Sequence, residues 1–399
     1  MSNAPTYLPA LGVVSALGQG CAEVAANLFA GSTQGMKRRS DLLSDGQSTI
    51  VGAVTAALPP VPAQLAAYQS RNLQLAILAV EQIRVPLDGL IAKYGPSRIG
   101  VIMGSSTSGI DCGEAAIASY EETGVFPAHF DIRMQELGSV SESLAIYLGL
   151  AGPAYTISTA CSSGANAMAA GRRMLETGLV DAVLAGGVDT LCRLTLNGFR
   201  SLSALSYERC NPFSKNRTGI NIGEGAAIFL MTRDESEVAL WGTGAASDGH
   251  SMTAPEPDGE GVEIAIRAAL KDADRRISEI CYVHLHGTGT VQNDQMESRL
   301  VRRLLGEGVP ASSSKAQIGH TLGAAGAMGA AHCWLAARGE NEQGLLPPHI
   351  WDGEADGDLL STSLVTIGQA LPSRANRLFL SNAIAFGGNN SSLVIGCKI

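Results

Sequence analysis

Residues 155–164, Tyr155-Thr-Ile-Ser-Thr-Ala-Cys161-Ser-Ser-Gly164, read as an apolar strand that stops at a cysteine, and Gly164-Ala-Asn-Ala-Met-Ala-Ala-Gly171 reads as a small-residue helix behind it. A thiol delivered to a helix N-terminus sits among unpaired backbone N–H groups at the positive end of the helix dipole. That setting favours a thiolate, and so a nucleophilic sulfur, without a metal. The same N–H groups suit a developing oxyanion. Free cysteines are also among the most buried residue types, and most are inert packing. The reading of Cys161 as a nucleophile therefore rests on what the rest of the chain brings to it.

Outward from this unit, apolar runs alternate with helix-like stretches. Tyr7 to Gly18 reads as a strand and Gly turn, and Ala22 to Phe29 as an amphipathic helix. Residues 31–70 are polar and contain prolines, which predicts a surface excursion. Leu73, Ile77 and Val80 space a helix with one buried face through to Ile83. Arg98 to Gly104 predicts a buried parallel strand opening into a Ser105–Gly109 loop, followed by strands at Asp181 to Gly187 and Gly225 to Met231. Such alternation implies a mostly parallel α/β sheet.

A second half is predicted from Glu237, dividing the chain into 1–236 and 237–399. It opens with a strand at Val238 to Gly244, then a helix over Val262 to Leu270 with Glu263 and Arg267 paired at i, i+4. Ile280 to His286 runs into the turn Gly287-Thr-Gly-Thr290, and Pro310 to Lys315 runs into Ala-Gln-Ile-Gly-His320. Gly323-Ala-Ala-Gly-Ala-Met-Gly-Ala-Ala331 echoes the helix behind Cys161, which suggests a duplicated unit. Arg377 to Gly388 predicts a strand and turn that pairs as a hairpin with Ser391 to Ile395.

Composition narrows the function classes. A chain of 399 residues with 45% hydrophobic content can bury a large core. The net charge of −9 and the lack of a basic stripe argue against a nucleic-acid partner. No apolar run approaches the roughly 20 residues of a membrane span. The opening Met1-Ser-Asn-Ala-Pro-Thr6 has neither a basic nor an apolar region, so a cytoplasmic enzyme without signal peptide is expected. Eight scattered cysteines without a C-x-x-C pair predict reduced thiols rather than disulfides or a metal site.

His286 ends an apolar strand just before a Gly-rich turn, where an imidazole would project into the crevice at the sheet's C-terminal edge. His284 shares its side of the strand by the period of two, and the residue at the loop is the better candidate. Lys315 and His320 lie five residues apart across a Gly turn, the histidine just ahead of a small-residue helix. A lysine buried there needs a carboxylate, and Asp294 and Glu297 could supply it.

These motifs together resemble the β-ketoacyl-acyl-carrier-protein synthases with a Cys-His-His triad. The resemblance is carried by Thr159-Ala-Cys161-Ser-Ser-Gly164, by His286-Gly-Thr-Gly-Thr with Asp294 and Glu297, by Lys315 with Gly319-His320, and by Phe386-Gly-Gly-Asn389-Asn390. Leu11 to Gly18 and Asn221-Ile-Gly-Glu-Gly-Ala226 fit as well. It implies a thiolase-like fold, two duplicated βαβαβ halves in an α-β-α-β-α five-layer arrangement, usually as a homodimer. It also implies Cys161 as nucleophile, His286 and His320 as donors to an enolate, and Lys315, held by Glu297, in an electrostatic role. The oxyanion hole would be the backbone N–H groups of Cys161 and Phe386. Substrates would ride on the phosphopantetheine of an acyl carrier protein, with no cofactor or metal on the chain itself.

The chain departs from the fatty-acid elongating pattern at one place. Ile384-Ala385-Phe386 stands where Phe-Gly-Phe is usual, and Asn389 where Thr is usual. Ile384 is therefore expected to reshape the acyl pocket, to which Gly387 and Gly388 are also assigned, and the N-terminal and Ser105–Gly109 segments resemble ketosynthases of aryl-polyene and related polyketide clusters. Arg200, Arg209, Lys215 and Arg217, or Lys37-Arg38-Arg39, are expected to meet the acidic carrier. A degradative thiolase would want a second cysteine in a C-terminal Cys-x-Gly turn, which Cys397-Lys398 does not offer. A non-catalytic chain-length factor, which could also complete a heterodimer, needs no Cys161, His286 and His320.

Overall fold

The structure, a computed structural model, describes residues 4–371 and 377–397; Met1–Asn3 and Lys398 lie outside them. Its strands are β1 (Thr6–Ser15), β2 (Gly18–Gln19), β3 (Met36–Arg39), β4 (Thr49–Gly52), β5 (Ile99–Gly104), β6 (Ala154–Ile157), β7 (Ala182–Asp189) and β8 (Gly225–Thr232), then β9 (Val238–Ser247), β10 (Tyr282–His284), β11 (Ala311–Ser312), β12 (Leu378–Ile384) and β13 (Asn389–Cys397). The α-helices are α1 (Cys21–Phe29), α2 (Arg71–Val80), α3 (Arg84–Tyr94), α4 (Ile110–Thr123), α5 (Ser139–Leu148), α6 (Ser163–Glu176), α7 (Arg193–Ser201), α8 (Glu260–Asp272), α9 (Val291–Leu305), α10 (Lys315–Ile318) and α11 (Ala325–Ala337).

Strand order exposes a duplication. One set runs β6-β5-β7-β8-β1 and the other β11-β10-β12-β13-β9. Counted along the chain within its own set, each reads third, second, fourth, fifth, first. Directions repeat too: third, second and fourth are parallel, and the fifth is antiparallel to both its neighbours. A short pairing of Thr6 and Tyr7 with Leu240 and Ala239 joins the sets edge to edge.

The long helix that follows the third strand is α6 in one set and, after the short α10, α11 in the other, and these two lie between the sheets. Their side chains share one core with Phe229 from β8 and Phe379 from β12. Small residues make that possible. A Cβ added to Gly164 would sit 2.8 Å from the Ala327 Cβ, and one added to Gly326 would sit 2.8 Å from the Ala165 Cβ. Outside the first sheet, α2 and α5 bury Leu75, Ile77 and Leu144 against Val101 and Leu230. Outside the second, α8 and α9 bury Ile266 and Leu300 against Leu380 and Val394. The layers therefore run α-β-α-β-α, a thiolase-like fold.

Two sequence expectations change. Residues 31–70 are not a surface excursion: Leu42, Leu43 and Val51 pack with Leu196, Ile220 and Leu322, while Leu65 and Tyr68 tuck in beside α2. Their apolar residues are too sparse for a periodic signal, and only long-range contacts bury them. The strand before Cys161 is also shorter than its apolar run, ending at Ile157 on the sheet edge with Tyr155 exposed.

Replacing Gly164 by Val forces bulk into the α6–α11 contact, and overpacking of this kind costs about 1–3 kcal/mol. Thermal denaturation should show a lower melting temperature; a wild-type value would mean the two helices can separate without penalty.

Candidate active site

Between Ile157 and α6 the chain turns sharply, with Ala160 held at φ 52°, a conformation uncommon outside glycine. The turn seats Cys161 just ahead of Ser162, the residue that caps α6. His320 is set from the other half. α10 ends at Gly319 with φ 70°, and the next residue pairs with a strand-like segment, His320 N–H donating to Asn221 O at 2.7 Å and Gly223 N–H to His320 O at 2.9 Å. That pairing accounts for the glycine at 223, where a Cβ would meet Ile318 O at 2.0 Å. His286 follows β10 into the Gly287–Thr290 turn.

These segments bring Cys161, His286 and His320 together. His320 Nε2 lies 3.0 Å from Cys161 Sγ. The His286 and His320 rings meet edge to face with centroids 5.2 Å apart. One donor atom from each of the three residues lies within 4.8 Å of the others. Such a cluster has the ligand types of a metal site, but Lys315, fully buried beside it, sets a positive charge against a bound dication. Leu322 N–H reaches His320 Nδ1 at 3.3 Å. Hydrogen bonding thus assigns the ring proton to Nε2, which makes this imidazole a donor toward the sulfur.

Burial dominates the electrostatics. It pushes the Cys161 thiol up to about 11, against the lowering effects of the Phe386 N–H, the Lys315 charge and the Cys161 N–H. A helix terminus offers about 0.3–2 kcal/mol, whereas a rise from 9.0 to about 11 corresponds to roughly 3 kcal/mol. The resting thiolate expected from sequence is therefore a thiol. Burial and then the Lys315 charge hold both His286 and His320 well below the ordinary histidine range, so both rings are neutral.

The carboxylates act differently from expectation. Lys315 makes no ion pair with Glu297 or Asp294; its Nζ donates to the His286 carbonyl oxygen. Glu297 accepts from His286 N–H at 2.8 Å, from Gly287 N–H at 2.5 Å and from Asn293 Nδ2 at 2.9 Å. Asp294 accepts from Phe213 N–H at 2.8 Å and Gly289 N–H at 3.2 Å. Both sit at the start of α9 and curl back over the turn they follow, because a buried turn must satisfy its own N–H groups first. Glu297 still gives the largest favourable charge acting on Lys315, and burial raises its own carboxyl to about 7.

A cavity of about 410 Å³ opens over the triad, lined by Phe199, Thr288, Thr290, Ile384 and Phe386 among others. Phe386 packs on Phe199 with ring centroids 5.3 Å apart. Gly387 and Gly388 do not line it. They turn the chain, bonding to Met252 O and Ala385 O, so their expected place in the pocket is corrected. His284 faces away, toward Ser314 at 3.2 Å and His332 at 3.4 Å.

Two family models match consecutive stretches of the chain: beta-ketoacyl synthase, N-terminal domain, over residues 66–237, and its C-terminal domain over residues 238–350. The chain belongs to the β-ketoacyl synthase family. Nodulation protein E of Rhizobium meliloti is 31% identical to this synthase over 363 residues, 87% of the chain and 88% of the relative. The 3-oxoacyl-[acyl-carrier-protein] synthase 2 of Vibrio harveyi is 33% identical over 331 residues, 76% of each. Among solved structures, a chain of the complex of a ketosynthase (ApeO) with its chain length factor (ApeC) from Xenorhabdus doucetiae superposes with a TM-score of 0.94 at 43% identity, covering 99% of this synthase and 98% of that chain.

Sequence reading missed Asp189. It closes β7 fully buried and accepts from Ser105 Oγ at 2.7 Å, Ser106 N–H at 2.9 Å, Thr107 N–H and Oγ1 at 2.8 Å each, and Gly323 N–H. Ser106 Oγ in turn donates to Ala160 O at 3.2 Å, so one carboxylate ties the approaches to Cys161 and His320. The available signal was a lone acid ending the apolar run Ala182 to Val188.

Lys315 favours ionisation of Cys161. In the synthase carrying Lys315→Met, alkylation by iodoacetamide should be slower at a given pH and its pH profile displaced upward. An unmoved profile would mean that Lys315 is uncharged in the resting enzyme.

Proposed function

We propose that the chain catalyses decarboxylative condensation of an acyl group, held on Cys161, with malonyl-acyl carrier protein to give 3-oxoacyl-acyl carrier protein. The observation that carries this reading is the Cys161 Sγ–His320 Nε2 contact of 3.0 Å, with the Phe386 N–H on the same sulfur and His286 across the cavity. Sulfur attacks the acyl thioester, a C–S bond forms, and the thiol proton leaves with the carrier's thiol. Because burial opposes a free thiolate, charge develops only as the thioester arrives, where the Cys161 and Phe386 N–H groups receive the oxyanion. Malonyl thioester then loses carbon dioxide. Its enolate oxygen is met by the neutral rings of His286 and His320, and its carbon attacks the acyl–Cys161 carbonyl, breaking the C–S bond and expelling a thiolate that takes a proton from water to restore the thiol. Lys315 acts through charge and through the His286 carbonyl. In this reading residues 1–236 supply the nucleophile and 237–399 supply His286, Lys315 and His320.

The substrates come on the phosphopantetheine of an acyl carrier protein, so the reaction needs no cofactor or metal on this chain. Of the basic residues expected to meet that carrier, Arg217 is buried against Asp356, and Lys215, Arg200 and Arg38 pair with Glu354, Asp45 and Glu208. Arg39 pairs with Asp41. Lys37 and Arg209 remain exposed without an ion pair among the described residues, which makes them the better candidates. The open edge of β6, with exposed Tyr155 on it and Ile146 on the adjacent α5, favours pairing with a second thiolase-like subunit, a copy of this chain or a chain-length factor. Between those two roles the intact triad favours the catalytic subunit for this chain. No described helix is long and apolar enough to cross a membrane, and eight scattered cysteines without a C-x-x-C pair fit a reducing cytoplasm.

Cys161→Ala should abolish condensation while the fold survives, since the loss of volume is small. An acyl adduct on that variant by intact-mass analysis would refute the assignment. Cys161→Gln should still release carbon dioxide from malonyl-acyl carrier protein, because both histidines remain.

The pocket supports a substrate preference. Ile384 is buried and lines the cavity with Phe386, and a β-branched side chain stiff at χ1 would limit the space into which that ring could move. Long saturated chains should be disfavoured relative to a rigid polyene or a short primer, a preference that would suit aryl-polyene or polyketide synthesis better than housekeeping fatty-acid synthesis. Ile384→Phe should shift kcat/KM toward saturated carriers of equal length; an unchanged ratio of saturated to polyunsaturated substrate would remove position 384 from selectivity.

A further inference from the structure

The two N–H groups read above as an oxyanion hole sit on segments from opposite halves of the fold. Cys161 lies in the turn before α6, and Phe386 in the turn between β12 and β13. Two fixed donors help a transition state only while their spacing is held. The Phe386 turn is closed on itself, Gly388 N–H donating to Ala385 O at 3.0 Å and Ala385 N–H to Asn389 O at 3.1 Å. On its far side it is moored to the segment 248–252 through Gly387 N–H to Met252 O at 2.9 Å and Asn390 Nδ2 to Asp248 Oδ1 at 2.6 Å. On the nucleophile side, apart from the Phe386 N–H on the sulfur itself, the hydrogen bonds between residues 159–166 and 385–390 all end on one atom, Asn389 Oδ1.

That oxygen accepts from Asn166 Nδ2 at 3.0 Å and faces Ser162 Oγ at 2.9 Å. Ser162 has one proton for three possible acceptors, the others being Thr159 O at 2.8 Å and Thr159 Oγ1 at 3.0 Å. The Asn166 amide therefore secures the contact whichever way the hydroxyl turns. Ser162 is the neighbour of the nucleophile, and Asn166 lies one turn further along α6. A shorter side chain would leave Asn166 and Ser162 to each other and to Thr159 Oγ1, 2.9 Å from the Asn166 amide, and would uncouple the two turns.

We propose that Asn389 is a positioning residue that clamps the Phe386 turn to the start of α6 and so sets the separation of the Cys161 and Phe386 N–H groups. This rests on the reading of Cys161 as the acylated nucleophile. It assigns a purpose to the residue at which this chain departs from the usual threonine.

The test separates acyl transfer, which uses those N–H groups, from decarboxylation, which uses the histidines. In Asn389→Ala the rate of Cys161 acylation by an acyl carrier thioester, followed by intact mass, should fall roughly tenfold to a hundredfold, with KM for the carrier unchanged. Asn389→Asp, which keeps an acceptor oxygen in place, should recover most of the loss. Cys161→Gln combined with Asn389→Ala should decarboxylate malonyl-acyl carrier protein as fast as Cys161→Gln alone. Wild-type acylation in Asn389→Ala overturns the clamp while leaving the condensation reading intact, and so does a parallel loss of acylation and decarboxylation. Absence of any Cys161 adduct in the wild-type enzyme sinks both.

Discussion

The close approach of α6 and α11 is the contact on which the rest of the structure depends. Each helix follows the third strand of its own half, and glycine at 164 and 326 lets the backbones meet where any larger residue would hold them apart. Because Cys161 precedes one helix and His320 precedes the other, the helix contact brings the two turns that carry sulfur and imidazole side by side. A duplicated fold thereby makes one site from two equivalent positions.

That site is buried, and burial governs its chemistry. Cys161, His286, His320 and Lys315 are all withdrawn from water, so each titratable group is driven toward its neutral form. For His320, whose ring proton the Leu322 N–H contact assigns to Nε2, a neutral ring still presents a donor toward Cys161. For the thiol burial imposes a cost that the substrate's arrival must relieve. Lys315 is the exception with a purpose, a cation kept near three neutral groups on which its field falls with little screening.

Buried carboxylates serve as backbone anchors here. Glu297, Asp294 and Asp189 each gather several N–H donors from turns that carry or flank the site, and none of the three forms an ion pair among the described residues. A turn cut off from water must find acceptors for its N–H groups, and a carboxylate with two oxygens satisfies several at once. The glycine-rich turns that hold the reactive residues are thus kept rigid without lining the cavity with extra charge.

Local spacing in the sequence determined a good deal. A cysteine between an apolar run and a small-residue helix, a histidine before Gly-Thr-Gly-Thr, and a histidine five residues past a lysine each carry their chemistry in a few adjacent positions. The repeated Ala/Gly helix likewise made the duplication legible, and the order of these motifs was enough to suggest the family. What tertiary structure alone decided follows from contacts across long separations. Lys315 turns to a carbonyl rather than to Glu297, the Cys161 thiol is raised rather than lowered, and Gly387 and Gly388 shape a turn rather than the pocket. Asp189 gathers donors from residues more than 80 positions before it and more than 130 after it. Partner choice and desolvation depend on which segments the fold packs together, and no local pattern encodes them.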